Sequence, residues 1–451
     1  MKLYIETLGC PKNFNDSEGI AGIWEKAGMT VTDNPANADV ILVNTCGFIN
    51  DAKTESINTI FDMIRLKEKQ ILVVAGCLSQ RYADELVQEI PEVDIFMGVN
   101  DYERLPEIIE CYRTDCRNGE KCGQAHVYRS TAPCEFEEFS ARKLEDNPYT
   151  ATLRIAEGCN NCCAYCIIPQ IRGGYRSRPM ESILAEAETM IAAGTREVIL
   201  IAQDVTEYGR DIYGELKLPE LLNRLCQIGG DDLNMGFRWI RLMYCYEDKI
   251  TNELIDVMAS QPRIANYIDI PLQHVSDSVL RGMRRRSTSH SIRDTIERLR
   301  KAIPDIHIRT TFITGFPGES QQDYDMLYDF ARDTRFERLG VFAYSQEEGT
   351  PAGDREDQIS EEIRAERADS IMRMQLDISR ECNDAKIGSI MDVIVDGTDE
   401  EGAYMGRTMY DAPEIDNTVI FSSDDNLRPG DFVKVQIMDA FDYDLVGVQV
   451  K

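Results

Sequence analysis

The sequence predicts an α/β protein in three parts, and three patterns along its 451 residues support this prediction. Two long stretches alternate short apolar runs with helical patterns, which is typical of parallel sheets whose strands are joined by crossover helices. The last stretch contains closely spaced β-rich runs with Gly and Asp turns, which favour a small antiparallel β-barrel. A chain of this length also exceeds one ordinary core. The predicted domains are 1–140, 145–384 and 385–451.

The first domain is predicted to be a Rossmann-like, doubly wound parallel sheet, because runs typical of buried strands alternate with helical patterns. The expected strands are Leu3–Leu8, Val40–Val43, Ile71–Ala75 and Ile95–Gly98. The expected helices are Asp16–Ala27, Ala52–Lys67, Gln80–Glu89 and Tyr102–Cys111. The polar, irregular stretch from Tyr112 to Asn147 is interpreted as a connection between domains.

The second domain repeats the strand–helix alternation six times, which predicts a partial (β/α)6 barrel, two units short of the eight-fold form. The expected strands are Thr150–Ala156, Val198–Gln203, Trp239–Tyr244, Tyr267–Pro271, Ile308–Ile313 and Leu339–Tyr344. A long charged helix from Ser360 to Asp384 then leads to the third domain. There the strand runs Val393–Val395, Thr418–Phe421 and Phe432–Ile437 are separated by turn signals at Asp396-Gly397 and Pro429-Gly430.

Composition limits the classes of function that fit the chain. Lys and Arg number 49 against 79 Asp and Glu, a net charge of −30, which disfavours a DNA or RNA footprint that needs cations against phosphates. No apolar run approaches the ~20 residues of a transmembrane helix, and Glu6 interrupts any N-terminal secretory segment. We therefore expect a cytoplasmic protein that binds neither DNA nor a membrane. In that compartment the 14 cysteines are expected as metal ligands, reactive thiols or core residues.

Four cysteines lie close together after the first strand of the second domain. They fit a C-x3-C-x2-C pattern through Cys159, Cys163 and Cys166, or an alternative frame in which Cys162 replaces Cys163. Three thiolates in one loop can hold a 4Fe–4S cluster and leave its fourth iron open to a substrate. A buried cysteine cluster or a zinc site is the alternative, although zinc needs a fourth ligand and no histidine lies nearby in the sequence.

A second set of cysteines follows three predicted strands of the first domain: Cys10, Cys46 and Cys77, each beside a glycine. Because the carboxyl ends of parallel strands lie at one edge of a sheet, we expect the three thiols to converge there. The glycines allow the backbone to approach a bulky cluster, and coincidental packing is the alternative. Four other cysteines match no ligand spacing and are interpreted as incidental: Cys111, Cys116, Cys122 and Cys134.

The loop at 159–166 resembles the signature of the radical S-adenosylmethionine superfamily, in which an aromatic residue precedes the last cysteine. Tyr165 fills the aromatic position, so the resemblance selects the frame with Cys163 and excludes Cys162. With the N-terminal cysteines, the chain resembles the methylthiotransferase family, which combines a cluster domain, a radical barrel and a TRAM β-domain. The resemblance implies two 4Fe–4S clusters, an auxiliary one held by Cys10, Cys46 and Cys77 and a radical one held by Cys159, Cys163 and Cys166.

Three short segments resemble the RimO branch of that family, which modifies a ribosomal protein: Gly9–Asn13, Asn44–Ile49 and Ala75–Leu78. The tRNA-modifying MiaB branch usually has Gln in place of Pro11 and lacks the Gly47-Phe48 pair, and the run Asp411–Asp416 is also RimO-like. The resemblance implies that a methylthio group is inserted at the β-carbon of an aspartate in the twelfth small-subunit ribosomal protein. One S-adenosylmethionine would donate the methyl group and a second would supply a 5′-deoxyadenosyl radical.

The same resemblance implies partners and contacts. The partners are that ribosomal protein or the small ribosomal subunit, a reduced flavodoxin- or ferredoxin-like electron donor, and a sulfur donor. Candidate contacts to S-adenosylmethionine are Tyr165, Gln203, where the superfamily's usual Gly-Gly-Glu motif is absent, and Gly315, which is otherwise a strand–helix turn. No catalytic residue is predicted beyond the cluster ligands.

Two alternatives stay open, a tRNA adenosine 2-methylthiotransferase of the MiaB type and an iron–sulfur electron carrier. The segment from Lys386 onward holds 5 basic and 14 acidic residues, which favours a basic protein over tRNA as substrate. A cluster of basic residues could instead contact RNA: Arg281, Arg284, Arg285 and Arg286. We interpret it as the C-terminus of a helix, where cations are favoured.

Overall fold

The computed structural model describes residues 1–118, 125–130, 142–144, 148–230, 232–233 and 235–451. The chain divides into two compact units. Unit 1 is Met1–Glu145, Glu157–Asn160 and Cys166–Arg176, and unit 2 is Asp146–Ala156, Asn161–Tyr165 and Ser177–Lys451. Of the incidental cysteines, Cys111 and Cys116 lie on a helix, whereas Cys122 and Cys134 lie outside the described residues.

Unit 1 contains the predicted doubly wound parallel sheet. Its strands are Lys2–Thr7 (β1), Thr30–Val31 (β2), Val40–Thr45 (β3), Ile71–Gly76 (β4), Ile95–Met97 (β5) and His126–Tyr128 (β6). Its first helices are Pro11–Lys26 (α1), Asn50–Leu66 (α2), Cys77–Glu89 (α3) and Leu105–Arg117 (α4). The strands pair in parallel in the order β2-β1-β3-β4-β5-β6, which confirms the predicted fold class.

The central strand β3 shows why this sequence forms a two-layered sheet. All six of its residues are buried. Val40 and Leu42 belong to the core that includes Trp24 of α1, whereas Ile41 and Val43 belong to the core on the other face. A continuous apolar run is what a strand between two helix layers requires.

The predicted connection from Tyr112 to Asn147 is wrong in its first part. Helix α4 continues to Arg117, and β6 adds a sixth strand to the sheet beside β5. Strand β6 has only three residues, and none of them is fully buried, so the sequence shows no apolar run.

The middle of the chain forms the predicted partial barrel. Its strands are Thr150–Arg154 (β7), Glu197–Ile201 (β10), Trp239–Leu242 (β11), Ile264–Asp269 (β12), His307–Thr314 (β13) and Arg338–Ala343 (β14). Between β7 and β10 in the chain lie the short strands Ala156–Glu157 (β8) and Arg176–Ser177 (β9), which form a separate two-stranded sheet, and the helix Ile168–Arg172 (α5), which belongs to unit 1. The helices of this part of unit 2 are Met180–Ala192 (α6), Arg210–Tyr213 (α7), Leu218–Gln227 (α8), Asn252–Ser260 (α9), Asp277–Gly282 (α10), Ser289–Ala302 (α11), Gln321–Thr334 (α12) and Glu361–Asp384 (α13). Six strands pair in parallel in the order β14-β13-β12-β11-β10-β7, which confirms the (β/α)6 prediction.

The C-terminal strands close into the predicted small barrel. They are Ile390–Thr398 (β15), Tyr404–Thr408 (β16), Val419–Ser422 (β17), Phe432–Ala440 (β18) and Leu445–Val450 (β19). Their order is β15-β16-β17-β19-β18, and the β17–β19 pair is parallel while the others are antiparallel. The turn predicted at Asp396-Gly397 is wrong, because β15 continues through it with an irregular register between Val395 and Gly397.

Buried ion pairs join barrel strands to the C-terminal strands within unit 2. Glu197 of β10 binds Arg241 of β11 and Arg407 of β16, each at 2.7 Å, and all three side chains are at most 5% exposed. Arg338 of β14 donates through Nε to Asp411, 3.1 Å away. We call these five residues the ion-pair seam. Among the helices in the described ranges, none has the length and apolar character needed to cross a membrane.

Candidate metal centre

The three N-terminal cysteines lie just beyond the carboxyl ends of β1, β3 and β4. Cys10 is the N-cap of α1, and Cys77 is the first residue of α3. Cys46 and Cys77 are buried, whereas Cys10 is exposed. The structure therefore brings these residues to one edge of the sheet, beside two helix N-termini, whose positive end of the helix dipole favours an anionic ligand.

Two of the neighbouring glycines permit close approach of the cysteine-bearing loops. Gly9 has a φ of +91°, and a Cβ added there would lie 2.8 Å from the Cβ of Cys46. A Cβ added at Gly47 would lie 2.8 Å from the backbone of Leu78, which follows Cys77. A side chain at either position would push the loops apart.

Hydrogen bonds hold the loops in place without a ligand. The N–H of Cys46 donates to Ser56 Oγ at 3.0 Å, and the Ser56 hydroxyl donates to the Cys46 carbonyl at 2.9 Å. Asn13 Nδ2 donates to the carbonyls of Leu8 at 2.8 Å and Thr45 at 3.1 Å. Asn13 therefore ties the segment that carries Cys10 to the end of β3.

A buried guanidinium contacts this edge of the sheet. Arg172 is the last residue of α5, and its Nη2 donates to Cys77 Sγ at 3.4 Å and to Asn13 Oδ1 at 3.0 Å. Its Nη1 donates to Asp16 Oδ2 at 2.8 Å. Sequence reasoning missed Asn13, Asp16 and Arg172, because single polar residues on helices produce no periodic signal.

Burial favours the neutral form of the thiols at Cys46 and Cys77 when no metal is bound. Burial raises the pKa of the Cys46 thiol to about 11. Burial also raises the pKa of Cys77, although Arg172 opposes that shift. A bound metal would reverse this effect, since coordination deprotonates a thiol outright.

The spacing of the thiols bears on which metal group fits. In the part of the chain that the structure describes, no three His, Cys, Asp or Glu side chains converge on a point suited to one metal ion. A 4Fe–4S cluster binds each thiolate at a different iron, so its ligands can lie farther apart than the ligands of a single ion. Three cysteines on loops with closely packed glycines, with one guanidinium at Cys77, are a donor set that fits a 4Fe–4S cluster.

The second cysteine loop is divided between the units. In unit 1, Cys159 is buried and its N–H donates to the carbonyl of Gly173 at 3.1 Å. Also in unit 1, Cys166 Sγ accepts the N–H of Ile168 at 3.5 Å, at the start of α5. The donor to Cys166 is a helix N-terminal amide, a group that stabilises a thiolate.

Within unit 2, the two candidate frames differ in exposure. Cys163 is buried, with Sγ 3.7 Å from the hydroxyl of Tyr246, whereas Cys162 is exposed. Arg285 donates to the hydroxyl of Tyr165 at 3.3 Å, and its guanidinium lies 4.7 Å from the ring centroid of Tyr246. Of the arginines interpreted as a helix C-terminus, Arg281 lies in the last turn of α10, whereas the side chain of Arg285 is buried and donates to Tyr165 instead.

Gln203 is half-buried just beyond β10. The next residue, Asp204, is fully buried; it pairs with Lys249 and accepts Asn161 Nδ2 at 2.8 Å. Asp204 thereby connects the end of β10 to the cysteine loop within unit 2, through two partners, Asn161 and Lys249, that sequence reasoning missed. A contact from Gln203 to S-adenosylmethionine stays a prediction.

Gly315 follows β13 and has a φ of +71°. Its N–H donates to Glu319 Oε2 at 2.9 Å, and a Cβ added there would lie 2.8 Å from the Cβ of Arg364. The glycine therefore has a packing reason of its own, which favours the strand–helix turn. Its predicted contact with S-adenosylmethionine stays untested.

Family models match three successive segments of the chain. The model described as "Uncharacterized protein family UPF0004" matches residues 2–98, the Radical SAM superfamily matches 153–331, and the TRAM domain matches 387–450. The first segment contains the auxiliary cysteines, and the second contains the loop at 159–166.

Curated relatives match along the whole chain. "Ribosomal protein uS12 methylthiotransferase RimO" of Acetivibrio thermocellus is 45% identical over 99% of this chain and 98% of its own length. The protein of the same name from Desulforamulus reducens is 46% identical over 98% of both chains.

Solved structures show a similar fold at low identity. The radical S-adenosylmethionine methyltransferase TsrM from Kitasatospora setae gives a TM-score of 0.57 at 15% identity, covering 78% of this chain and 74% of that one. The cobalamin-dependent S-adenosylmethionine radical enzyme OxsB gives 0.53 at 13% identity, covering 84% and 56%.

Proposed function

The chain belongs to the RimO family of radical S-adenosylmethionine methylthiotransferases, and we propose that it inserts a methylthio group at the β-carbon of an aspartate in ribosomal protein uS12. Its superfamily uses a 4Fe–4S cluster and S-adenosylmethionine. One molecule of S-adenosylmethionine would serve as methyl donor and another as the source of a 5′-deoxyadenosyl radical. The observation that carries the proposal is the gathering of Cys10, Cys46 and Cys77 at one sheet edge, in addition to the loop at 159–166.

Two clusters are part of this proposal. The auxiliary cluster would be held by Cys10, Cys46 and Cys77 and would carry the sulfur to be transferred. The radical cluster would be held by Cys159, Cys163 and Cys166. The burial of Cys163 beside Tyr246, in contrast to the exposed Cys162, supports that frame.

The residues around each set would orient the ligands rather than react. Ser56 and Asn13 fix the loops that carry Cys46 and Cys10, and Arg285 fixes the hydroxyl of Tyr165. Gln203, Tyr165 and Gly315 are proposed contacts to S-adenosylmethionine. The proposed domain boundaries are 1–140, 145–384 and 385–451.

The charge of the C-terminal barrel supports a basic protein as the substrate. Among its five cationic residues, Lys386 and Arg407 face acidic groups within unit 2. The remaining surface is acidic, which attracts a basic ribosomal protein and repels tRNA. The other proposed partners are the small ribosomal subunit, a reduced flavodoxin- or ferredoxin-like electron donor and a sulfur donor, all in the cytoplasm.

A deletion strain tests the substrate. Mass spectrometry of uS12 from wild-type and deletion cells should show the methylthio mass only in the wild type, and complementation should restore it. Nucleosides from the same cells provide the matched comparison. Loss of methylthiolated adenosine from tRNA with uS12 unchanged would instead identify the tRNA-modifying alternative.

An anaerobic assay tests the radical chemistry separately. Reconstituted, reduced protein incubated with S-adenosylmethionine should form 5′-deoxyadenosine, and the amount should rise with a uS12 substrate present. Protein with a full iron content that forms no 5′-deoxyadenosine would be an iron–sulfur electron carrier.

A further inference from the structure

Arg172 donates a hydrogen bond to the sulfur of Cys77. Among the hydrogen bonds described for unit 1, it is the one from a charged side chain to Cys10, Cys46 or Cys77. The side chain of Arg172 is 4% exposed, and its partner Asp16 is fully buried. A second carboxylate, that of Glu157, lies 3.6 Å away. One carboxylate is enough to compensate the charge of a buried arginine. The hydrogen bond from Arg172 to Cys77 is therefore not needed to keep the arginine buried.

The two ends of the guanidinium have different partners. Nη1 faces the carboxylates of Asp16 and Glu157, whereas Nη2 donates to Asn13 Oδ1 and Cys77 Sγ. The planar fork of arginine fixes both directions at once, which a lysine ammonium cannot do. The carboxylates therefore aim Nη2 at the sulfur.

The position of Arg172 in the chain links it to the second cysteine loop. It lies six residues after Cys166, at the end of α5. Ile167 and Ile171 pack in the same core as Cys77, so the backbone of α5 is anchored at this edge of the sheet. The short helix after one cysteine set thus supplies a hydrogen-bond donor to the other set.

We propose that Arg172 is a positioning residue for the auxiliary cluster, which it serves by hydrogen-bonding the Cys77 sulfur and compensating negative charge there. This inference rests on the proposed function, because it requires that Cys10, Cys46 and Cys77 hold a cluster. Hydrogen bonds to ligand sulfurs and nearby charge set the reduction potential of an iron–sulfur cluster. Losing a cationic donor leaves the reduced, more negative cluster less stabilised and lowers its potential.

The test uses the full chain with Cys159, Cys163 and Cys166 changed to Ala, so that iron reports on the auxiliary set alone. Iron and sulfide content and a redox titration followed by electron paramagnetic resonance are measured after anaerobic reconstitution. Arg172→Met should weaken cluster binding about 10–100-fold, the usual effect of losing an outer-sphere partner. The cluster that still binds should have a more negative potential, and Arg172→Lys should give an intermediate shift.

Arg142→Met is the matched control. The side chain of Arg142 is also 4% exposed, and it binds Glu18, which lies two residues after Asp16 on α1. The substitution therefore removes a comparable buried cation from unit 1. Its cluster content and potential should equal those of the parent. Circular dichroism melting identifies variants that fail to fold, and Arg172→Lys then carries the test.

Two outcomes would overturn the inference, and they are distinguishable. If a folded Arg172 variant binds the cluster with the parent's potential, Arg172 only completes an ion pair with Asp16. If the parent itself binds no iron, the proposal of an auxiliary cluster fails, and the inference fails with it.

Discussion

The sheet edge of unit 1 that carries Cys10, Cys46 and Cys77 (the cysteine edge) and the ion-pair seam of unit 2 both contain buried polar groups. The two differ in where those groups find their partners. In the seam, Glu197 binds Arg241 and Arg407, and Arg407 also binds Asp396 at 2.8 Å, so two carboxylates balance two guanidiniums within the protein. At the cysteine edge, burial raises the pKa of Cys46 to about 11, and one guanidinium contacts Cys77. The ion pairs of the seam are therefore complete within the protein, whereas the proposed role of the three cysteines requires a bound cluster.

The largest expected effect is the loss of radical chemistry on removal of one thiol. Cys163→Ala should abolish formation of 5′-deoxyadenosine, because two thiolates cannot hold the radical cluster. Cys162→Ala is the matched control at the neighbouring, exposed position and should keep most of the activity. Anaerobic turnover with quantified 5′-deoxyadenosine measures both, and equal loss in the two variants would contradict the assigned frame.

Removal of an auxiliary thiol should separate the two halves of the reaction. Cys46→Ala should stop methylthiolation of uS12 while 5′-deoxyadenosine still forms, since the cysteines at 159–166 stay intact. The melting temperature should change little if this thiol serves a ligand rather than the fold. Cys226→Ala, which removes a buried thiol of a helix in unit 2, should leave methylthiolation in place. Loss of both products in Cys46→Ala would argue against separate roles.

The seam should respond in the opposite way. Glu197→Gln leaves the buried guanidinium of Arg241 without its carboxylate and leaves Arg407 with Asp396 alone, which should lower the free energy of unfolding of unit 2 by about 3–5 kcal/mol. Urea unfolding followed by circular dichroism measures the effect. Glu215→Gln, which breaks an exposed pair with Lys217, should have no measurable effect. Equal stability of the two variants would show that the seam is not a stabilising element.

The sequence predicted the cysteine edge better than its surroundings, for a physical reason. Apolar periodicity identified the strands, and the rule that parallel strand ends share one edge then placed Cys10, Cys46 and Cys77 together. Arg172 and Asp16 are 156 positions apart in the chain, and no local pattern predicts such a contact. The burial of Arg285 was missed for the same reason, because its partner Tyr165 is 120 positions away.

The same limit applies to the seam. Its barrel strands were predicted, but neither β16, which carries Arg407, nor the pairing of the charges was. Glu197 and Arg407 are separated by 210 positions, and in the sequence each is one charged residue beside an apolar strand. Charged residues on strands are usually solvent-exposed. Only the packing of the barrel against the C-terminal strands within unit 2 makes them partners.

The smallest expected effect concerns His307, which lies near the seam. Burial, together with Lys386 and Arg338, lowers its pKa to about 3, although Asp411 opposes the shift. In the unfolded chain a histidine binds a proton below about pH 6.5. Between these two pH values the unfolded state therefore binds more protons, so stability falls as the pH falls, by at most ~1.4 kcal/mol per pH unit.

His307→Phe should remove that dependence and keep the ring stacked on Tyr410, whose centroid is 4.2 Å away. Urea unfolding at pH 7.5 and pH 5 should show a smaller loss of stability on acidification in the variant than in the wild type. The exposed His290 provides the control, since His290→Gln should keep the wild-type slope. If His307→Phe and the wild type lose equal stability between these pH values, the acid sensitivity of unit 2 arises from other groups.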